Sequence, residues 1–323
     1  MLDITKAKDR NASYPLLLIE LEKEGDKLKL KEPTLSILFF IPAAIFLIAF
    51  FIYPIVLLVV DSFYQYDINK LNVKEFVGLS NYIKALTSDR FIKTTANTVL
   101  YVVLAVGIEF ILGIILALLL STGFRGSNII RTLLLSPLML APLVAGLIWK
   151  FMLSDQFGIV NWTLYNIGIL SDPHKVLWLS DERYSLISCA IADIWLTTPF
   201  MMLVLLAGIQ GISKDLYEAA KIDGASRSQT FWFVTLPSLI PVATTAIIIR
   251  VIDAARSFDI IWVLTQGGPN FSSEILSTYM YKQLARYGRI GSASAMAVIF
   301  MIMLLAVSAL FMKKIWNPNK EVN

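Results

Sequence analysis

Residues 34–60 read TLSILFFIPAAIFLIAFFIYPIVLLVV, 27 residues without an Asp, Glu, Lys or Arg. Crossing about 30 Å of hydrocarbon takes roughly 20 helical residues, so this stretch is long enough to span a bilayer. Ile290–Met312 repeats the pattern over 23 residues, with Arg289 immediately before them. The whole chain leans the same way. Of its 323 residues 57% are hydrophobic and 16% charged, against about 45–50% and about 25% in soluble domains. A soluble enzyme is excluded.

Working outward, apolar runs between charged boundaries predict six helices, at 35–60, 94–120, 132–153, 184–210, 238–263 and 290–312. The expected fold is an all-α, polytopic membrane protein whose six-helix domain covers 35–312, flanked by tails at 1–34 and 313–323. The first helix reads as a retained span. A polar tail of more than thirty residues precedes it, its apolar core exceeds that of a signal peptide, and no small-x-small cleavage site follows. Residues 1–33 mix both charge signs around Leu16-Leu17-Leu18-Ile19, which suits a loosely structured extension, an interfacial segment or a regulatory arm. Of the 28 Lys and Arg, 15 fall in the tails and loops of one side and 10 in those of the other. The excess of basic residues places both termini in the cytoplasm.

Other features narrow the chemistry. Cys189 is the single cysteine and sits in an apolar run, so no disulfide framework or cysteine-based metal site is expected. The single histidine, His174, lies in a polar loop and reads as a surface residue, and no metal site is assigned. No Gly-x-x-x-x-Gly-Lys-Ser/Thr occurs, so the chain has no phosphate-cradling loop and any ATP must be used by another subunit. Net charge is +4 with no basic-aromatic array, and no nucleic-acid partner is expected.

Between the fourth and fifth spans, residues 213–241 read SKDLYEAAKIDGASRSQTFWFVTLPSLIP, too polar to stay in lipid. Asp215, with Glu218 three residues on, suits a helix N-cap, and Ser226 with Gln229 forms a second capping box. Gly224 suits the left-handed residue that ends a helix, and Pro237 marks the approach to the next span. Two short helices joined at a glycine are therefore expected at the membrane surface, in a loop over 211–237. Such a unit serves either as a turn between spans or as a knob seated in a cleft of another protein.

Glu218-Ala219-Ala220, then Gly224, then Leu236-Pro237 resembles the EAA loop of importer-type ABC transporter permeases. Gly78-Leu79-Ser80-Asn81-Tyr82 with Asn97-Thr98, and Leu264-Thr265-Gln266-Gly267-Gly268-Pro269, are similar to the carbohydrate-importing branch, in particular the first permease of a heterodimeric pair of the maltose, glycerol-phosphate or trehalose type. The ordered matches cover about 35–312. The resemblance implies a type I importer architecture in a prokaryotic plasma (inner) membrane, with the EAA segment as a cytoplasmic coupling helix. Glu218, Ala219, Ala220, Asp223 and Gly224 would then engage one of two cytoplasmic ATP-binding cassette ATPase subunits, which hold ATP and Mg; this chain itself would bind no cofactor. A second permease subunit and an extracytoplasmic sugar-binding protein complete the implied assembly in the lipid bilayer. ATP would drive alternating access, and the lean in substrate is a disaccharide such as trehalose or maltose.

Charged residues inside spans cost roughly 2.5–3.5 kcal/mol each near the centre and rarely face lipid. Arg250, Asp253, Arg256 and Asp259 alternate in sign at every third residue of the predicted fifth span, a ladder that spirals around one helix. Arg250 and Asp253 suit internal ion pairing or a wet cavity. Arg256 and Asp259, near Phe258 and Trp262, suit a cavity better. Sugars are held by planar polar groups and aromatic faces. Asn97, Asp193, Trp195, Asp253, Arg256, Asp259 and Trp262 are accordingly the substrate-pathway candidates. Glu109 stands alone on the second span and is assigned to packing or to a bond with a neighbouring helix. On the outer side, the loop beginning Gly267-Gly268-Pro269-Asn270 is expected to have a flexible start. It suits either contact with the binding protein or a solvated connector.

Two other functional classes fit less well. A stand-alone, ion-coupled secondary transporter of a small polar solute would use intramembrane carboxylates such as Asp193, but six spans without an internal repeat are few and the polar loop would have no purpose. A membrane-embedded enzyme would need a clustered nucleophile and base, and the spans hold no His and only Cys189.

Overall fold

The computed structural model describes residues 40–69 and 74–315. The N-terminal tail, residues 35–39 of the first predicted span and most of the C-terminal tail lie outside them. The described residues divide into two units between Val60 and Asp61. In the first, the apolar helix Phe40–Ser62 begins, matching the expected first span. Its bonds widen to a π-helical turn over Ile48–Ile52 just ahead of Pro54, where a ring without an N–H disturbs the preceding turn.

The second unit holds the remaining spans. Asp89–Ser121 and Ser185–Gln210 are the second and fourth, and they pack along their length. Ser88 caps the second, its Oγ accepting the Phe91 N–H. The small residues Gly113 and Ala117 lie against the fourth. A Cβ added at Gly113 would stand 2.7 Å from Met201 Cγ. Ala105, Ala117, Met201, Met202 and Leu205 form the centre of the core. Cys189 is fully buried in the same cluster, 3.8 Å from Thr265 Oγ1.

The third and fifth spans differ from expectation. The third was expected as one helix over 132–153. It is two helices, Ser127–Met139 and Pro142–Met152, meeting at 99°. Leu140 and Ala141 are extended, with ψ of 142° and 140°. Ala141 precedes Pro142, whose ring disfavours the helical conformation there. The fifth span starts earlier than predicted, at Arg227, and its main helix Leu236–Ala255 ends at Arg256. After Ser257 and Phe258 a short helix, Asp259–Leu264, completes it. The charge ladder therefore does not spiral along a single helix: Arg256 caps one segment and Asp259 opens the next. The sixth span is Ile290–Ile315, close to the predicted 290–312.

The described residues depart from an all-helical chain at one hairpin, Tyr64–Tyr66 paired antiparallel with Lys74–Phe76, Tyr64 opposite Phe76. Asn81, in the short helix Ser80–Leu86, fastens it by donating its amide N–H groups to the Ser62 and Tyr64 carbonyls at 3.0 and 2.9 Å.

Candidate functional site

At one end of the bundle the fourth span passes into a surface helix, Lys214–Ile222. Its cap is Ser213, whose Oγ accepts the Asp215 N–H at 3.3 Å, not Asp215 as the sequence suggested. Asp215 falls in the first turn, where its charge complements the helix dipole. Gly224 has φ +73°, the left-handed conformation expected of it. The Ser226–Gln229 capping box is present, with bonds of 3.3 and 2.8 Å. The segment it opens is the start of the fifth span and not a separate short helix. Through a π-helical turn at Phe231–Thr235, ahead of Pro237, it runs directly into Leu236–Ala255.

The surface helix is held on one side and open on the other. Ala220 is buried and the Tyr217 hydroxyl lies 3.3 Å from Thr235 Oγ1. Glu218, Ala219, Asp223 and Gly224 are exposed, with Leu216 and Ile222 beside them, and Ile222 is 86% exposed. A short helix with small residues, two exposed carboxylates and an apolar end thus stands free.

Inside the bundle a second constellation forms. Arg250 on the fifth span places Nε and Nη2 at 2.7 and 2.8 Å from the two carboxylate oxygens of Glu109 on the second. Nη2 also reaches Asp193 Oδ2 on the fourth at 3.1 Å. Thr197 Oγ1 lies 2.7 Å from Glu109 Oε1. All three charged side chains are buried. Asp193, expected along the substrate pathway, is placed in this ion cluster. Glu109 has the interhelical bond it was assigned. Arg250 does not pair with Asp253, which pairs with Arg256 at 2.6 Å on the exposed surface.

Trp262, another pathway candidate, stacks on Phe258 at 5.4 Å and meets Tyr281 edge-on at 4.8 Å. The Arg286 guanidinium lies 5.0 Å from its ring centre, and Asp259 is exposed nearby in sequence. Trp195 meets Trp149 edge-on at 6.1 Å. Both indoles line a cavity of about 570 Å³ between the second, third and fourth spans, with Ile108, Leu112, Pro137 and Thr198. Trp149 Nε1 and Thr198 Oγ1 are sealed behind its wall, with no hydrogen-bond partner among the described residues. Trp149 did not stand out in the sequence, where a lone Trp in a span is ordinary.

At the opposite end, the segment after Thr265 is not the flexible stretch anticipated. Gln266, Gly267, Asn270 and Phe271 all take positive φ. Ser273 Oγ donates to the Gly268 carbonyl at 2.7 Å, and the Ser272 N–H to that of Pro269 at 2.8 Å. Asn97 donates its amide to the Phe271 and Glu274 carbonyls, both at 3.0 Å, so this pathway candidate is placed as a clasp for the loop. Glu274 is fully buried between Arg90 and Lys282, an ion cluster the sequence did not disclose. Gly268, Pro269 and Asn270 stay accessible at the tip, whereas Gly267, expected with them as a contact, is buried against Glu274. Among the described residues no three His, Cys, Asp or Glu side chains converge as metal ligands would.

Comparison with known proteins adds to this geometry. The profile of the family described as binding-protein-dependent transport system inner membrane component matches residues 109–321. The chain is 37% identical to the trehalose/maltose transport system permease protein MalF of Thermococcus litoralis over 289 residues, 89% of this chain and 95% of that one. It is 34% identical over 286 residues to the sulfoquinovosyl glycerol transport system permease protein SmoG of Agrobacterium fabrum, covering 88% and 92%. Among solved structures, a bacterial ABC transporter involved in the import of the acidic polysaccharide alginate superposes with a TM-score of 0.74 at 22% identity, over 90% of this chain and 98% of that one, a likeness of fold.

Proposed function

This chain belongs to the binding-protein-dependent transport system inner membrane components, and from that membership we propose that it is one permease subunit of an ATP-driven sugar importer. It pairs with a second permease, and two cytoplasmic ATPase subunits holding ATP and Mg drive the pair. An extracytoplasmic binding protein delivers the sugar. The observation that carries the reading is the freestanding helix Lys214–Ile222, anchored by Ala220 and Tyr217 with Glu218, Ala219 and Ile222 left uncovered. Its exposed face supports docking in an ATPase groove, Glu218 meeting a basic residue there and Gly224 making the turn.

Both ends of the chain then lie in the cytoplasm, and the tip at Gly268-Pro269-Asn270 faces the binding protein. The cavity beside Trp149 and Trp195 contributes to the sugar path, its indole rings suited to cover the C–H faces of a sugar. Trp262, with Phe258 and Tyr281, offers a second aromatic surface. The relatives named for trehalose/maltose and for a sugar glycerol favour a disaccharide or a glycoside of similar size. The ion-coupled alternative is weakened because Asp193 and Asp253 are already paired with arginines.

The test is affinity purification from detergent-solubilised native membranes of wild type, Glu218→Ala and Gly224→Asp. The importer reading expects an ATPase and a second six-span protein with wild type, and less ATPase with either variant. Wild type purifying alone, with the variants identical to it, would overturn the reading.

A further inference from the structure

We propose that Arg250 is a positioning residue whose guanidinium clamps the second, fourth and fifth spans into one moving body, carrying motion of the ATPase-docking helix to the sugar-path wall. This rests on the importer reading above.

The clamp spans three helices through one side chain. Its fork grips both oxygens of Glu109 on the second span, and the same Nη2 reaches Asp193 on the fourth. Apolar contacts already hold the second and fourth spans together around Gly113 and Met201, and such contacts tolerate sliding. Two-pronged ion pairs fix both distance and direction. Stability alone does not explain the cluster. Replacing buried ions by apolar groups of similar volume is often neutral or stabilising, because charges are costly to remove from water. What the cluster supplies is a fixed relative placement.

That placement joins the two regions the importer must couple. Tyr217 ties the docking helix to Thr235 on the fifth span, and Arg250 lies fifteen residues further along, about 22 Å at 1.5 Å per residue. On the fourth span Asp193 is two residues from Trp195 and five from Thr198, so the clamp sits within about a turn and a half of the cavity wall. The sharp breaks in the backbone lie away from the clamp, one in the third span and one in the fifth beyond Arg250. One is the 99° bend of the third span and the other the interruption at Ser257 and Phe258. Motion of the docking helix is thereby passed to the wall carrying Trp195 and absorbed at those breaks.

The test uses the complete importer in proteoliposomes, with its ATPase and binding protein. It compares wild type with Arg250→Lys and with the apolar triple variant Arg250→Met, Glu109→Met, Asp193→Leu. The readouts are the amount of assembled complex and the stimulation of ATP hydrolysis by sugar-loaded binding protein. The proposal expects the triple variant to assemble as wild type does, with stimulation falling about tenfold, a typical size for lost coupling between sites. Arg250→Lys, which keeps the charge and loses the fork, is expected to fall in between. A triple variant that assembles and is stimulated within twofold of wild type would overturn the clamp alone. A triple variant that fails to assemble would overturn it too, by making the cluster a folding element. Wild type without any stimulation would overturn the importer reading and this proposal with it.

Discussion

Arg90 and Glu274 lie 184 residues apart in the chain and meet as a two-pronged ion pair, Nε to Oε2 at 2.7 Å and Nη2 to Oε1 at 2.8 Å. The guanidinium lies 3.8 Å from the Phe271 ring centre and 4.6 Å from that of Tyr279, and Lys282 adds a 2.6 Å bond to the same carboxylate. Glu274→Ala removes the only acid among these contacts and leaves two cations without it. Breaking a buried pair in this way costs about 3–5 kcal/mol. A marked fall in the thermal unfolding midpoint of the purified protein is expected, and a smaller one for Lys282→Met, which keeps the Arg90 fork.

The second and fourth spans approach most closely where glycine allows it. Gly113→Val puts a branched side chain against Met201, whose Cγ would stand 2.7 Å from the new Cβ and whose Met202 backbone nitrogen neighbour would stand 3.1 Å away. Overpacking of this kind costs about 1–3 kcal/mol. Thermal unfolding of the double variant with Met201→Ala should recover part of the loss, because the clash is mainly with that side chain.

Gly224→Ala tests backbone conformation without steric interference, since an added Cβ would meet nothing within 4 Å. The left-handed conformation costs an ordinary residue about 1–2 kcal/mol. The expected outcome is a modest thermal shift with a disproportionate loss of co-purifying ATPase. Gly224→Asn, which tolerates φ +73° better, should lie between Ala and wild type.

Trp149→Phe and Thr198→Val each delete an unpaired buried donor while keeping most of the shape. A donor with no partner contributes nothing by leaving, so thermal stability without sugar should be unchanged or raised by up to about 1 kcal/mol. Both donors are sealed from the cavity, so these variants should keep the KM for sugar in transport. Trp195→Ala, which strips an aromatic face from the cavity wall, should raise it, and an unchanged KM there would remove the cavity from the sugar path.

The spans were legible because long uncharged runs have few alternatives in a chain this apolar. The bend in the third was not, since Pro137 and Pro142 interrupt the helix without interrupting the hydrophobicity that defined it. Gly224 and the Ser226–Gln229 box could be read because their chemistry is local. The ion cluster could be half read. Glu109 needed a partner inside the membrane, but the nearest acid in sequence to Arg250 was Asp253, three residues on. The fold instead offers two acids, 141 and 57 residues away. Glu274 gave no signal, because an acid in a polar loop looks solvated until the loop is seen folded around it.

Cys189 has a last consequence. The lone thiol is sealed in the core with no exposed surface, so the native chain is already a silent background for maleimide chemistry under non-denaturing conditions. A cysteine placed at Ile222, 86% exposed, would take a fluorophore or spin label alone. The helix Lys214–Ile222 can thus be watched in a protein altered at a single position.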